Sequence, residues 1–133
     1  MALFAIDAAK DAKLNYLKTN FDKLVAVVGV PTTYANCTTN LGTGAGQLVA
    51  EVAIAQGDLT IGDGPTDGRK LTVAEKAGIT PNVNGTPDHY VWLDTVNSTI
   101  LLYADTTPKA LTTDTQVKFS EHGYIDRDPT VLV

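Results

Sequence analysis

Two histidines, each next to a carboxylate, are the side chains of this chain that could carry acid–base or metal chemistry. Asp88 precedes His89, and Glu121 precedes His122. Successive side chains of a strand point to opposite faces, so neither adjacent pair is expected to act as an acid–base dyad. Two histidines without a close third ligand also make a weak metal site. The sequence therefore predicts no catalytic residue, no metal and no cofactor here.

The potential nucleophiles lack supporting motifs. Ser98 and Ser120 are the only serines, and neither lies in a G-x-S-x-G elbow. Cys37 lies in a Thr-rich loop, where a cysteine is usually only a small residue, although His89 or His122 is a conceivable partner. The glycine-rich run 42–46 is too short for a dinucleotide fingerprint and follows no suitable strand. These patterns favour a non-enzymatic protein.

Three aspartates in a turn-rich segment suggest calcium. They are Asp58, Asp63 and Asp67. Their spacing does not match an EF-hand loop, and no glutamate lies at the closing position. Ordinary turn chemistry is therefore the favoured interpretation of this segment, with calcium as the alternative.

Composition narrows the possible partners. The chain has 133 residues, a net charge of −5 and 19% charged side chains. An acidic balance disfavours nucleic acid, which requires clustered Lys and Arg, and it disfavours an anionic membrane surface. Few charges and many small side chains suit packing against other protein. We expect no nucleic acid and no membrane partner.

The same composition also indicates the cellular compartment and the number of domains. Cys37 is the only cysteine, so an intramolecular disulfide is impossible and no oxidising compartment is implied. The first residues lack the basic region of a signal peptide, and no apolar run approaches the ~18 residues of a membrane span. We expect a soluble protein made in a cytoplasm, with one domain over 1–133.

A helix is predicted from about Asp7 to Val28. Its apolar positions follow a helical spacing, and Gly29 with Pro31 would stop it. A second N-cap signal at Thr19–Asp22 indicates that the helix could break there. Together with the residues before it, this helix is expected to make up an N-terminal segment, an arm followed by the helix, over about 1–30. The helix packs either on the β domain or on a neighbouring subunit.

The densest apolar stretch of the chain predicts a β-hairpin, with strands at 89–94 and 99–104 around a break at 95–98. Because both runs are apolar at consecutive positions, both faces of both strands are expected to be covered. A strand or a short helix is expected at 47–55, where the alternation of apolar residues favours a strand. Further strands are expected at 58–61, 69–73, 115–119 and 124–129, with a loop at 32–46, a helical turn or loop at 74–78 and a break at 120–123. The predicted fold is mainly β, a small β-barrel or jelly-roll-like sandwich over about 47–129 with an N-terminal α-helix.

The segment from Asp58 to Pro129 resembles the small capsid decoration (cement) proteins of tailed bacteriophages. The similarity rests on a strand, a D-G-rich turn, G-R-K-L-T-V, D-H before an apolar strand, N-S-T-I-L-L-Y, A-L-T-T-D-T and a closing I-D-R-D-P. It covers a little over half of the chain and includes no active-site motif.

That resemblance implies a structural virion protein. Such proteins bind the outside of an expanded shell, bridge major capsid subunits, and commonly act as homodimers or homotrimers. It places the protein on the capsid surface after synthesis in the bacterial host cytoplasm. The alternatives are another virion component (neck, tail or fibre) and a β-sandwich glycan-binding module, which would need an exposed aromatic such as Tyr34, Tyr90, Trp92 or Tyr103.

Both ends of the sequence are apolar, and chain ends fray unless they are tied down. We therefore predict that the protein interface lies in the two terminal segments. The candidate residues are Leu3, Phe4, Ile6, Arg127, Pro129, Val131 and Leu132.

Overall fold

The computed structural model describes residues 7–38, 47–66 and 68–126. Its contacts group into two compact units that alternate along the chain. The hairpin unit consists of Asn20–Ile54 and Lys76–Phe119, and the α1 unit of Met1–Thr19, Ala55–Glu75 and Ser120–Val133. The expectation of one domain over 1–133 stays a prediction.

The secondary structure is mainly β with an N-terminal α-helix, as predicted. The helices are α1 (Asp7–Asn20) and α2 (Tyr34–Thr38), with a short 3-10 turn at Gln56–Asp58. The strands are β1 (Lys23–Val28), β2 (Gln47–Ala53), β3 (Leu59–Asp63), β4 (Arg69–Val73), β5 (Lys76–Ile79), β6 (His89–Asp94), β7 (Thr99–Asp105), β8 (Val117–Phe119) and β9 (His122–Asp126). In the described part of the chain they form open antiparallel sheets and no closed barrel.

A four-stranded sheet of order β2-β1-β6-β7 is the centre of the hairpin unit. Its two middle strands are buried at nearly every position, because both faces are covered. One face carries a core cluster that includes Cys37 of α2. On the other face, Phe21 stacks on Trp92 with ring centroids 4.4 Å apart, and Tyr90 contacts Phe119 of the β5-β8 sheet. Two sheets meeting through such side chains correspond to a small β-sandwich.

The hairpin is confirmed, but the expectation that both faces of both strands are covered is wrong for β7, an edge strand whose side chains are half-buried or exposed. Asp94 explains the turn. The Asp94 carboxylate accepts hydrogen bonds from the backbone N–H groups of Val96 and Asn97, each at 3.1 Å, and from the Asn97 side chain at 2.7 Å. These bonds, the Asn97 side-chain bond most of all, lower the pKa of Asp94. Ser98 closes the turn with a φ of 53°, in the left-handed region. The turn therefore rests on side-chain acceptors rather than on glycine.

The second half of the predicted helix is wrong. The helix ends at Asn20, and residues 23–28 form the central strand β1. The predicted break at Thr19–Asp22 has the right position, but the chain continues as a strand. Leu24, Val25, Ala26 and Val27 are all buried, so the apparent helical stripe is a short part of a continuous apolar run. A β-branched run covered on both faces stabilises a central strand.

The α1 unit contains α1 and a three-stranded sheet of order β3-β4-β9. Leu14 and Leu17 of α1 are buried, one helical turn apart. In the sheet, a Cβ added at Gly123 of β9 would lie 2.6 Å from the carbonyl oxygen of Leu71 in β4. Glycine at this position therefore allows the backbones of β9 and β4 to approach each other.

Three smaller expectations are also corrected. The predicted helical turn or loop at 74–78 contains strand β5, which pairs with β8. Gly78 has a φ of 72°, so a glycine allows the bend within this irregular pair. The expected break at 120–123 is shorter than predicted, because β9 begins at His122. The predicted loop at 32–46 contains α2, and its glycine-rich part lies outside the described residues.

Candidate functional site

His89 lies between two carboxylates at one end of the β6-β7 hairpin. Its Nδ1 is 2.7 Å from Asp88 Oδ1, and its Nε2 is 2.6 Å from Asp105 Oδ1. We call Asp88, His89 and Asp105 the His89 clasp. The His89 side chain is only 9% exposed, whereas the side chains of Asp88 and Asp105 are 39% and 90% exposed. A nearly buried imidazole is therefore tied to two carboxylates that reach the solvent.

The prediction that Asp88 and His89 face opposite sides is wrong. Asp88 lies one residue before β6 begins, where strand alternation does not yet apply. Its position is fixed by backbone hydrogen bonds, from Asp88 N to the carbonyl of Val27 at 3.0 Å and from Thr106 N to the carbonyl of Asp88 at 2.8 Å. Its Oδ1 also accepts the N–H of Gly29 at 2.8 Å. These contacts turn the carboxylate onto the imidazole.

Register brings Asp105 to the other ring nitrogen. A hairpin counted evenly back from the pair Asp94–Thr99 would place Ala104 opposite His89. An irregularity between Trp92 and Leu93 shifts the pairing by one residue, so that Asp105 is the partner of His89. A bulge of this kind leaves no distinctive sequence signal here, so the sequence alone does not point to Asp105.

In the clasp, neither imidazole nitrogen is free to take a proton from a substrate. A ring nitrogen that carries a proton can donate to its carboxylate, and the two contacts together occupy both nitrogens. The hydrogen bond with His89 is the main reason why the pKa of Asp88 is lowered, and the N–H of Gly29 adds to the effect. This arrangement ties the start of β6 to the end of β7 and to the segment after β1.

A second group of charges lies in the α1 unit. Arg69 of β4 contacts Asp11 of α1 through Nε at 2.8 Å and through Nη2 at 3.2 Å, and it contacts Asp63 of β3 through Nη1 at 2.7 Å. These hydrogen bonds, Asp11 first, raise the pKa of Arg69. Lys13 lies 4.0 Å from Asp126 and 5.2 Å from the ring centre of Tyr124. These contacts join α1 to all three strands of the α1 unit.

The aspartates that suggested a calcium site have different roles in the structure. Asp58 accepts the N–H of Ala55 at 2.9 Å and so stabilises the 3-10 turn, while Asp63 pairs with Arg69. Asp67 lies outside the described residues. Among the residues that the structure describes, no group of three or more His, Cys, Asp or Glu side chains is placed to hold a metal.

The remaining candidates lie apart from the clasp. Cys37 is buried, its thiol is 3.6 Å from the carbonyl oxygen of Thr33, and burial raises its pKa to about 11. A thiol with that pKa is protonated at neutral pH and is a poor nucleophile. His122 contacts the carbonyl of Ser120 through Nδ1 at 3.0 Å.

Of the four aromatics suggested for a glycan platform, only Tyr103 is exposed, at 49%. Trp92 is 2% exposed, and Tyr34 and Tyr90 are half-buried. The predicted interface residues lie outside the described residues, so their role stays a prediction. They are Leu3, Phe4, Ile6, Arg127, Pro129, Val131 and Leu132.

Comparison with known proteins finds no matching family model, no matching curated protein and no matching solved structure. Among the described residues, no helix has the length and apolarity needed to cross a membrane.

Proposed function

We propose that this chain is a structural virion protein that binds the outside of a phage capsid and stabilises the shell by bridging major capsid subunits. The observation that carries the proposal is the order of strands and turns from Asp58 to Pro129, which resembles the capsid decoration proteins of tailed phages. The resemblance implies a β domain after an N-terminal helix, and the mainly β structure with α1 at its start is compatible with it.

The chemistry of the described side chains also supports a structural role. The one histidine that lies between two carboxylates has both ring nitrogens engaged, and the thiol of Cys37 is buried. The polar groups of the His89 clasp and around Arg69 connect strands to one another and to α1. Such contacts suit a rigid module that resists mechanical load.

Shell stabilisation would come from several modest contacts made at once. A symmetric oligomer that touches several capsid subunits gains avidity, because the later contacts are effectively intramolecular. The acidic net charge of −5 suits a partner surface with exposed Lys or Arg and argues against binding to packaged DNA.

The test is to add the purified protein to expanded, undecorated shells of the parent phage. We expect the protein to sediment with the shells at a fixed stoichiometry and to raise their disruption temperature. If the shells neither bind the protein nor gain stability, the proposal is wrong. A virion map that places the chain on the neck, tail or fibre would instead support the alternative virion role.

Deletion variants locate the interface on the chain. Removing residues 1–6 or 127–133 should weaken shell binding while the circular dichroism of the β domain is kept. Val96→Lys is the matched control, because Val96 is 85% exposed at the hairpin turn and lies outside the predicted interface. Shell binding that is unchanged after both deletions would overturn the predicted terminal interface but not the capsid role.

A further inference from the structure

The two segments that are predicted to form the protein interface, 1–6 and 127–133, adjoin the same structural unit. Residue 6 precedes α1, which begins at Asp7, and residue 127 follows β9, which ends at Asp126. Both α1 and β9 belong to the α1 unit, apart from the last residue of the helix. The described contacts of α1 and β9 therefore fix the points from which the two segments leave that unit.

Three strand ends define one end of this unit. Antiparallel pairing places Asp63, the last residue of β3, opposite Arg69, the first residue of β4. Arg69 is also the pairing partner of Asp126, the last residue of β9. We call the end of the sheet that contains Asp63, Arg69 and Asp126 the Arg69 end. Residue 127 therefore leaves the unit at the Arg69 end.

α1 begins at the same end. Near its start, the Asp11 carboxylate accepts hydrogen bonds from Arg69, through Nε at 2.8 Å and through Nη2 at 3.2 Å. In its last turn, the carbonyl of Lys18 accepts a hydrogen bond at 2.6 Å from the side chain of Gln56, three residues before β3 begins. α1 therefore runs antiparallel to β3. Because Asp7 precedes Asp11 by about one helical turn, residue 6 also leaves the unit at the Arg69 end.

Contacts between α1 and β9 link the two starting points. Lys13 of α1 lies 4.0 Å from Asp126 and 5.2 Å from the ring centre of Tyr124, both in β9. The side chains of Asp11, Arg69 and Asp126 are half-buried, so their contacts are partly shielded from solvent. The start of α1 is therefore connected to the end of β9 directly as well as through Arg69.

The two segments also share their composition and their reach. Residues 2–6 are Ala-Leu-Phe-Ala-Ile, and residues 131–133 are Val-Leu-Val. Even fully extended, six or seven residues span no more than roughly 25 Å. A standard protein interface covers about 800 Å² on each partner, an area of similar extent. Two apolar segments that leave one end of the unit therefore fit a single interface better than two distant ones.

We propose that residues 1–6 and 127–133 form one composite binding surface at the Arg69 end, and that this surface occupies a single apolar cleft on one major capsid subunit. The inference rests on the proposed capsid role and specifies its geometry. Lys or Arg beside the cleft would complement Asp63, whose side chain is 87% exposed at this end. Each chain then supplies one attachment point, so bridging of capsid subunits requires several chains.

Paired cysteines test whether both segments leave at the same end. In a dilute solution of the folded chain, a short bismaleimide should cross-link Ile6→Cys to Arg127→Cys within one molecule, while the natural Cys37 stays buried and unreacted. Ile6→Cys with Gly57→Cys is the matched control, because Gly57 lies at the other end of α1, about 21 Å away. A Cβ added at Gly57 meets nothing within 4 Å. Equal cross-linking of the two pairs would overturn the proposal.

Photo-cross-linking on expanded shells tests the single subunit. A chain with benzoylphenylalanine in place of both Phe4 and Leu132 should give, after irradiation, an adduct of one chain with one capsid subunit on a denaturing gel. Mass spectrometry should show that both groups have reacted in that adduct. The same group in place of Val96, which is 85% exposed and outside the two segments, should give no adduct. An adduct of one chain with two capsid subunits would contradict the proposal, as would bound chains that form no adduct.

The outcomes separate this inference from the capsid role. An unmodified chain that does not bind the shells refutes both. A chain that binds and raises the disruption temperature, but cross-links to two subunits, keeps the capsid role and refutes the single attachment surface.

Discussion

β6 and β7 are neighbouring strands of one hairpin with similar composition and opposite environments. β6 contains Tyr-Val-Trp-Leu and is buried at almost every position, because β1 flanks it and side chains cover both faces. β7 contains Ile-Leu-Leu-Tyr, and its side chains are half-buried or exposed. Strand hydrophobicity alone therefore does not distinguish a central strand from an edge. The difference comes from which strand β1 pairs with.

Replacing one leucine in each strand by alanine should show the largest difference between β6 and β7. Leu93→Ala removes a fully buried side chain of the core cluster and should lower the free energy of unfolding by about 2 to 5 kcal/mol. Leu102→Ala, in half-buried β7, should cost about 1 kcal/mol. Urea unfolding at low protein concentration measures both values. Equal losses would mean that β7 is as well covered as β6.

Removing the anchored carboxylate of the clasp should have the next largest effect. Asp88→Ala leaves the N–H of Gly29 and Nδ1 of His89 without their acceptor. The expected loss is about 1 to 2 kcal/mol, at the low end for bonds to a charged group because the Asp88 side chain is 39% exposed. Asp88→Asn keeps one acceptor oxygen and should lose less in the same unfolding assay. An Asp88→Ala protein as stable as the parent would contradict the clasp geometry.

Lowering the pH should reduce the contribution of the His89 clasp to the free energy of unfolding. The pKa of Asp88 is lowered in the folded chain, so its contribution is present above the unfolded pKa of roughly 4 and is lost as the pH falls through the folded pKa. The free energy of unfolding, measured from about pH 5 to about pH 2, should therefore fall more for the parent protein than for Asp88→Asn. Parallel curves would show that Asp88 carries no pH-dependent stability.

The smallest effect is expected at the β7 end of the clasp. Asp105→Asn weakens a contact whose carboxylate is 90% exposed, and exposed ion pairs contribute less than about 1 kcal/mol. The thermal unfolding midpoint should be nearly unchanged. A loss as large as that of Asp88→Ala would mean that β7 is held by its terminal charge rather than by its backbone ladder.

Local patterns predicted much of this fold. The hairpin, the strand at 47–55 and the strand at 69–73 were found because apolar runs lie between turn residues. The error at 23–28 shows the limit of that reasoning. Leu24 and Val28 fit a helical stripe only if the apolar residues between them are ignored. A sequence does not reveal that α2 and a second sheet will cover the two faces.

The contacts of the His89 clasp could not be predicted from the sequence, for a different reason. Asp88 meets His89 because the chain bends before β6, and Asp105 meets it because the register shifts by one residue. Both the bend and the register shift depend on the tertiary structure. The two histidine–carboxylate neighbours were visible, but their geometry was not. By contrast, the absence of a motif around Ser98 and Ser120 could be recognised from the residues alone.

The pairing of β9 with β4 has a consequence for how the chain folds as it leaves the ribosome. β4 ends at Val73 and β9 begins at His122, so this ladder cannot form until almost fifty more residues have been made. The four-stranded sheet draws its strands from residues 23–105 and can close earlier. During synthesis, the four-stranded sheet should therefore gain protease resistance first, while β3 and β4 form only a two-stranded ribbon, a structure that is marginal by itself in water.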